Sequence, residues 1–196
     1  MRHTLYILLW ILCSGLYAQN ICFELQSDGS FKTNDGNSFV VIEHKNLSAA
    51  ELYDLYSVAS IKGYRTERRV TNTVEGKAFS IEGITDTLSL KGSGTVVVKY
   101  EFQIMFHFKD ERVRIDAPFF GDTYASMKMF GSYGTLVKQS NSFSEWVKSK
   151  NAFIQFEEGV LRKEKYKKNW NRINQVANEL VECIVKNIED AKGEDW

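Results

Sequence analysis

A single alternating pattern between residues 96 and 108 constrains this chain more than any other feature of its sequence. Apolar side chains occupy every second position, and mostly polar side chains lie between them. The apolar positions are Val96, Val98, Tyr100, Phe102, Ile104, Phe106 and Phe108. Because successive side chains of a strand point to opposite faces, the pattern predicts a long β-strand with one face on a core.

Shorter strand signals surround this long strand. A polar break at residues 109–112 is followed by renewed alternation at Val113 and Ile115, which predicts an antiparallel hairpin. Residues 70–74 and 77–84 are strand candidates joined by a tight turn, and residues 39–42 are a β-branched run. Together these segments predict an antiparallel sheet of about five strands.

Two further segments have the apolar spacing of helices. The first follows Ser48 and Glu51, which match a capping box, and it should run from about residue 49 to 61. The second should run from about residue 164 to 191, and a shorter helix should start near Ser144 with Trp146 and Val147 directed inward. We therefore predict an α+β fold in which the two longer helices cover one face of the sheet, leaving the other to solvent or a partner.

Some segments allow two interpretations. Residues 119–133 are rich in aromatic residues and methionine and follow neither period, so they form either a ligand-gripping loop or, as packing favours, a lid over the core. The basic run at residues 162–172 is either a solvated helix face, which the sequence favours, or a contact for an anion or an envelope component. Residues 92–94 predict a hairpin turn and not a phosphate loop, because no helix follows them.

The N-terminus has the pattern of an export signal. Arg2 precedes an apolar run from Leu5 to Leu12, and smaller residues follow it up to a cleavage site near Ala18. The run is too short to span a membrane. We expect residues 1–18 to be a cleaved signal peptide, residues 19–37 a polar leader or a loose hairpin, residues 38–191 one domain and residues 192–196 a tail. The expected location is the periplasm or the exterior. A lipid anchor is disfavoured, because no small residue directly precedes Cys13 or Cys22.

Removal of the signal would leave Cys22 and Cys183 as the only cysteines. In an oxidising compartment they would form a disulfide if the fold brings them together. Alternatively, Cys183 is a small apolar residue of the last helix that never meets Cys22. The sequence does not decide between a disulfide and two separate thiols.

The charge and the motifs of the sequence argue against several classes of function. The chain has 25 basic and 25 acidic side chains, so no overall field attracts nucleic acid, and export argues against that partner independently. Beyond the signal, His44 and His107 are far apart and no metal-ligand spacing appears, so we expect no metal and no cofactor. No nucleophile motif identifies catalytic residues, and an active site assembled only in three dimensions is disfavoured.

Three local patterns resemble an exported bacterial family, the domain of unknown function 4468. They are residues 41–53, with Leu47-Ser48-Ala49-Ala50-Glu51; residues 75–83, with Glu75-Gly76-Lys77; and residues 100–114, with Tyr100-Glu101-Phe102. The resemblance covers residues 39–116 and implies a fold like that of the TATA-box-binding protein (TBP-like), but it supplies no catalytic residues. In this sequence Glu111 stands where the family usually has a glycine in the turn.

The TBP-like resemblance also implies a binding surface, because such folds bind through the exposed face of the sheet. In this chain that face would carry Lys99, Glu101, Gln103, His107, Arg112 and Arg114. We expect an exported, non-catalytic binding or accessory module that contacts a protein or envelope component, without a transmembrane anchor. The alternatives are a hydrolase with an unrecognised site and a structural subunit of a surface assembly.

Overall fold

The computed structural model describes residues 21–61, 68–91, 95–129, 132–133, 137–149, 153–157, 160–161 and 164–193. The expected signal peptide, the turn at residues 92–94 and residues 194–196 of the expected tail lie outside these ranges. In chain order the described elements are β1 Phe23–Leu25, β2 Phe31–Thr33, β3 Phe39–Glu43, α1 Ala49–Ile61, β4 Arg68–Val74, β5 Ala78–Ile84, β6 Leu88–Lys91, β7 Thr95–Lys109, β8 Arg112–Asp116, β9 Phe119–Met129, β10 Ser132–Tyr133, β11 Val137–Ser142, α2 Phe143–Lys148, β12 Phe156–Glu157, β13 Val160–Leu161 and α3 Glu164–Gly193.

The long strand β7 organises one antiparallel sheet. On one side it pairs first with β6 and then with β5, which in turn pairs with β4. On its other side it pairs first with β9 and then with β8, which pairs with β3. The α+β antiparallel fold is therefore confirmed, but within the described residues the sheet has nine strands instead of about five. The additional strands β6, β10 and β11 have two to six residues and β9 contains a bulge, so none of them shows a long continuous period.

The predicted alternation of β7 is confirmed along its whole length. Every second residue from Val96 to Phe108 is buried, and the residues between them are half-buried. The helices described by the structure all pack on this buried side, which we call the inner face. Tyr56 of α1 lies 5.9 Å from Phe106 and 5.7 Å from Phe108, ring centroid to ring centroid. In α3 the buried stripe includes Ile173, Ala177, Leu180, Ile184 and Ile188.

Helix α1 receives its N-terminal cap from two sources. Ser48 and Glu51 form the predicted box, in which Glu51 Oε2 accepts from the Ser48 N–H at 2.8 Å. The turn after β7 supplies the second source, because Asp110 Oδ1 accepts from the Ala49 N–H at 2.9 Å. The next residue, Glu111, has a left-handed φ of 62°, the conformation that glycine adopts most readily. Its N–H donates to the Leu47 carbonyl at 2.8 Å, which holds the turn against the start of the helix.

Of the two expectations for residues 19–37, the hairpin is found at residues 21–33, but it is not loose, because its apolar side chains belong to the core. β1 and β2 form a hairpin in which Phe23, Leu25 and Phe31 are buried. Two side chains of α3 hold this hairpin: Asn174 Oδ1 accepts from the Leu25 N–H at 2.8 Å, and Asn178 Oδ1 accepts from the Phe23 N–H at 2.7 Å. Strands of three residues are too short to show a period, so their turn residues dominated the sequence pattern.

The lid or loop expected at residues 119–133 is also wrong for its described part. Most of this segment is strand β9, which pairs with β7. Tyr100 pairs with Thr123 and Phe102 with Phe120, so Gly121 and Asp122 lie together opposite Glu101. This β-bulge shifts the alternation by one residue and explains why no period was visible.

The helix boundaries agree closely with the predictions. α1 spans Ala49–Ile61, and α3 begins at Glu164 and continues to Gly193. The shorter helix begins at Phe143 after the capping residue Ser142, with Val147 buried and Trp146 half-buried. In the basic run, Lys167, Lys168 and Arg172 are exposed, as expected of a solvated helix face. No helix in the described part of the chain is long and apolar enough to cross a membrane.

Cys22 and Cys183 are free thiols in this structure, the first exposed and the second half-buried. Asn174 and Asn178 mark the side of α3 that faces β1. At about 100° per residue, Cys183 lies roughly 180° around the helix from Asn174 and about 140° from Asn178. A disulfide requires side chains that point towards each other across a short distance. This arrangement favours the alternative of two separate thiols.

Candidate binding face of the sheet

The sheet surface opposite the helices is the candidate site, and we call it the outer face. It is defined by the half-buried residues of β7, namely Lys99, Glu101, Gln103, Met105 and His107, and by the side chains level with them on the neighbouring strands. The six residues predicted for this surface all occupy strand positions whose side chains point to the outer face. In β8, Arg112 and Arg114 are exposed while Val113 and Ile115 are buried.

A cationic and aromatic cluster lies where β7, β8 and β3 meet. The Arg114 guanidinium lies 4.3 Å from the centre of the Phe39 ring, a cation–π arrangement. Arg114 Nε also donates to Asp116 Oδ1 at 2.7 Å. The second carboxylate oxygen of Asp116 lies 3.2 Å from His107 Nε2. Asp116 thus orients two of the predicted residues at once.

Gln103 occupies the middle of the outer face and bonds across to β5. Its amide Nε2 donates to Glu82 Oε1 at 2.9 Å and lies 3.5 Å from the Ser80 hydroxyl oxygen. The register of β5 and β7 places Glu82 directly opposite Gln103. This pairing limits the rotamers of both side chains, so the centre of the face is preorganised.

A third cluster surrounds the bulge in β9. The Tyr124 hydroxyl donates to Glu101 Oε1 at 2.6 Å, and this hydrogen bond raises the pKa of Tyr124 because ionisation would remove the donor. Asp122, from the bulge itself, forms an ion pair with Lys138 of β11. That pairing raises the pKa of Lys138. Lys99 lies opposite Tyr124 in the ladder, so all three neighbouring strands contribute charge to this end of the face.

Two apolar side chains interrupt the polar surface. Phe119 is 63% exposed and pairs with Gln103, and Ile84 is 40% exposed and pairs with Glu101. A Cβ built on Gly121 would lie 3.7 Å from the Phe119 ring and 3.9 Å from the Glu101 Cβ, so the glycine leaves a shallow recess between them. The two apolar side chains lie on opposite sides of β7 and do not form one large patch.

Several outer-face residues were missed by the sequence analysis. They are Ser80, Glu82, Asp116, Phe119, Asp122, Tyr124 and Lys138. Only Asp116 carried a local signal, because it continues the alternation of Arg112 and Arg114. The others are brought to the face by cross-strand register, which one strand's own period does not show.

His44 lies away from the outer face, and the described acidic groups form no metal cluster. His44 Nε2 lies 2.8 Å from the Tyr56 hydroxyl oxygen, beside α1 rather than on the outer face. Within the residues that the structure describes, no group of three or more His, Cys, Asp or Glu side chains is arranged to hold a metal ion.

The fold is thus that of an α+β protein with a helix-covered inner face and a polar outer face.

No family model matches the chain, and no curated protein matches it. Two solved structures are similar to it. One is a TBP-like protein from Parabacteroides distasonis ATCC 8503, at 14% identity and TM-score 0.45, covering 81% of this chain and 92% of that one. The other is a DUF4468 family protein from Bacteroides ovatus ATCC 8483, at 13% identity and TM-score 0.45, covering 76% and 84%.

Proposed function

We propose that this chain is an exported, non-catalytic binding or accessory module of the bacterial cell envelope. It binds a protein or another envelope component through the outer face of its sheet. The observation that carries the proposal is the asymmetry of the sheet. The described helices all cover the inner face, while the outer face is a broad surface of partly exposed polar side chains.

The paired side chains of the outer face suit a binding role. Glu82, Gln103 and Glu101 are each tied to a partner on a neighbouring strand, so little rotamer entropy remains to be lost when a ligand docks. Strand-borne side chains also hold their positions more accurately than side chains on loops. Phe119 adds an exposed aromatic contact of the kind that is enriched in protein interfaces.

The same geometry favours binding over catalysis. Catalytic groups generally work in a recess that excludes water. On the outer face, the His107 and Asp116 side chains are 41% and 28% exposed on an open sheet surface. Arg114 shares the Asp116 carboxylate, so that carboxylate is already neutralised by a permanent cation.

Site-specific photo-crosslinking in cells of the source bacterium tests this proposal. A photoreactive amino acid at Met105, on the outer face, should form a crosslinked adduct with the partner. The same group at Asn171, exposed on α3, should form none. Protein recovered from the envelope fraction should lack residues 1–18 by intact mass. Equal adducts at both positions, or adducts at Asn171 alone, would contradict the binding assignment, and an intact Met1 on the folded protein would contradict export.

A further inference from the structure

Strand β3 lies at the edge of the sheet and has one unpaired side. Among the described strands it pairs only with β8. At one end of this ladder the Ala117 N–H donates to the Ser38 carbonyl at 2.8 Å, and at the other the His44 N–H donates to the Glu111 carbonyl at 2.7 Å. Hydrogen-bonded pairs alternate along an antiparallel ladder. The even-numbered residues of β3 therefore direct their backbone groups towards β8.

The odd-numbered residues of β3 direct their backbone groups the other way. Phe39, Val41 and Glu43 turn their N–H and C=O groups away from β8, and no other described strand pairs with them. An unpaired strand edge of this kind is a template on which another extended chain forms a ladder. Adding such a strand to a sheet edge is a recurring mode of peptide recognition.

A groove of about 420 Å³ lies beside this free edge. Phe39, Val40 and Val41 line it on the side of β3, and the turn after β2 lines it with residues that include Asn34 and Asp35. Ile21 and Cys22 also line the groove, so apolar and polar surfaces are both present. Asp35 is the one charged side chain among the described lining residues, so it places a negative charge at the turn side of the groove.

We propose that this groove binds an extended peptide segment of a partner protein, which adds a strand to the free edge of β3. The segment has apolar side chains at alternate positions, which contact Ile21 and Val40, and a lysine or arginine that reaches Asp35. A cationic segment is favoured over a second copy of this chain, because the copy would bring its own Glu43 and Asp35 to a groove in which Asp35 is the one charged residue of the described lining. This site adjoins the outer face at Phe39, but its proposed role does not depend on the role of that face.

The probe for this site is an acetylated and amidated hexapeptide in which valine and threonine alternate between terminal lysines. Titrated into the purified protein, it should bind saturably with a Kd below about 1 mM. Backbone amide NMR shifts should change at Phe39 and Val41 and stay constant at Gln103, on the outer face. A version with terminal glutamates should bind more weakly, because Asp35 repels it.

Val41→Pro removes an outward N–H without removing a hydrogen bond to β8, because the Val41 N–H points to the groove. We expect an unchanged denaturation midpoint and about tenfold weaker binding of the probe. Val40→Pro is the matched control. It deletes an N–H that faces β8, so it should lower the denaturation midpoint.

Asp35→Lys is a second variant that leaves the backbone unchanged. It tests peptide binding in the groove even if Val41→Pro does not fold. It should reverse the preference, so that the glutamate version binds more tightly than the lysine version. Absence of saturable binding up to about 1 mM would overturn the proposal, as would shifts centred on Gln103. A concentration-dependent dimer that Val41→Pro abolishes would assign the edge to a second copy and would overturn the partner peptide.

Discussion

Phe120→Ala is expected to lower the free energy of unfolding by about 3–5 kcal/mol, the range for truncating a buried phenylalanine. Phe120 is only 2% exposed. Its ring centroid lies 5.1 Å from that of Phe31, 5.3 Å from that of Tyr100 and 5.1 Å from that of Phe143. The substitution would remove the group that joins the N-terminal hairpin, the central strand and helix α2. Chemical denaturation of the purified protein measures the loss.

Phe119→Ala is the matched control, because it makes the same change one residue earlier on the opposite face. Phe119 is 63% exposed, so its truncation should change the free energy of unfolding by less than about 0.5 kcal/mol. Similar losses for the two variants would mean that the register of β9 is wrong, since a slip of one residue exchanges the faces of a strand.

Gly29→Ala should also be strongly destabilising, for a different reason. Gly29 has a φ of +85°, and a Cβ at this position would lie 2.6 Å from the Ser144 Cα in helix α2. The left-handed conformation costs an alanine about 1–2 kcal/mol. Overpacking against the backbone adds about 1–3 kcal/mol. The expected loss in the free energy of unfolding is therefore about 2–5 kcal/mol.

Gly36→Ala separates these two contributions. Gly36 has a similar φ of +79°, but no atom lies within 4 Å of the Cβ that alanine would add. Its substitution should cost only the conformational part, about 1–2 kcal/mol. Equal denaturation midpoints for the two variants would show that the N-terminal hairpin does not pack against α2.

Much of the fold could be predicted where one segment carries a complete local signal. The alternation from Val96 to Phe108 identifies β7 and its buried face, and the capping box at Ser48 identifies the start of α1. The β1–β2 hairpin could not be predicted in this way. Each of its strands has three residues, and they are held by packing in the core and by hydrogen bonds with Asn174 and Asn178, which are far away in the chain.

The candidate site could likewise be predicted only in part. The residues predicted for the outer face come from β7 and β8, whose own alternation assigns each side chain to a face. Their hydrogen-bond partners could not be predicted, because Glu82 and Tyr124 are matched to Gln103 and Glu101 only by cross-strand register. The bulge opposite Glu101 further conceals that register in β9.

Carboxylate footprinting tests the proposed binding face most directly. Carbodiimide coupling to glycine ethyl ester should label Glu82, Glu101 and Asp122 of the outer face in the purified protein, and Glu179 and Glu182 of α3 serve as references. In intact cells, where the partner is present, we predict that labelling falls on the outer face and stays constant on α3. Constant labelling of the outer face, or a decrease confined to α3, would contradict its assignment as the binding surface.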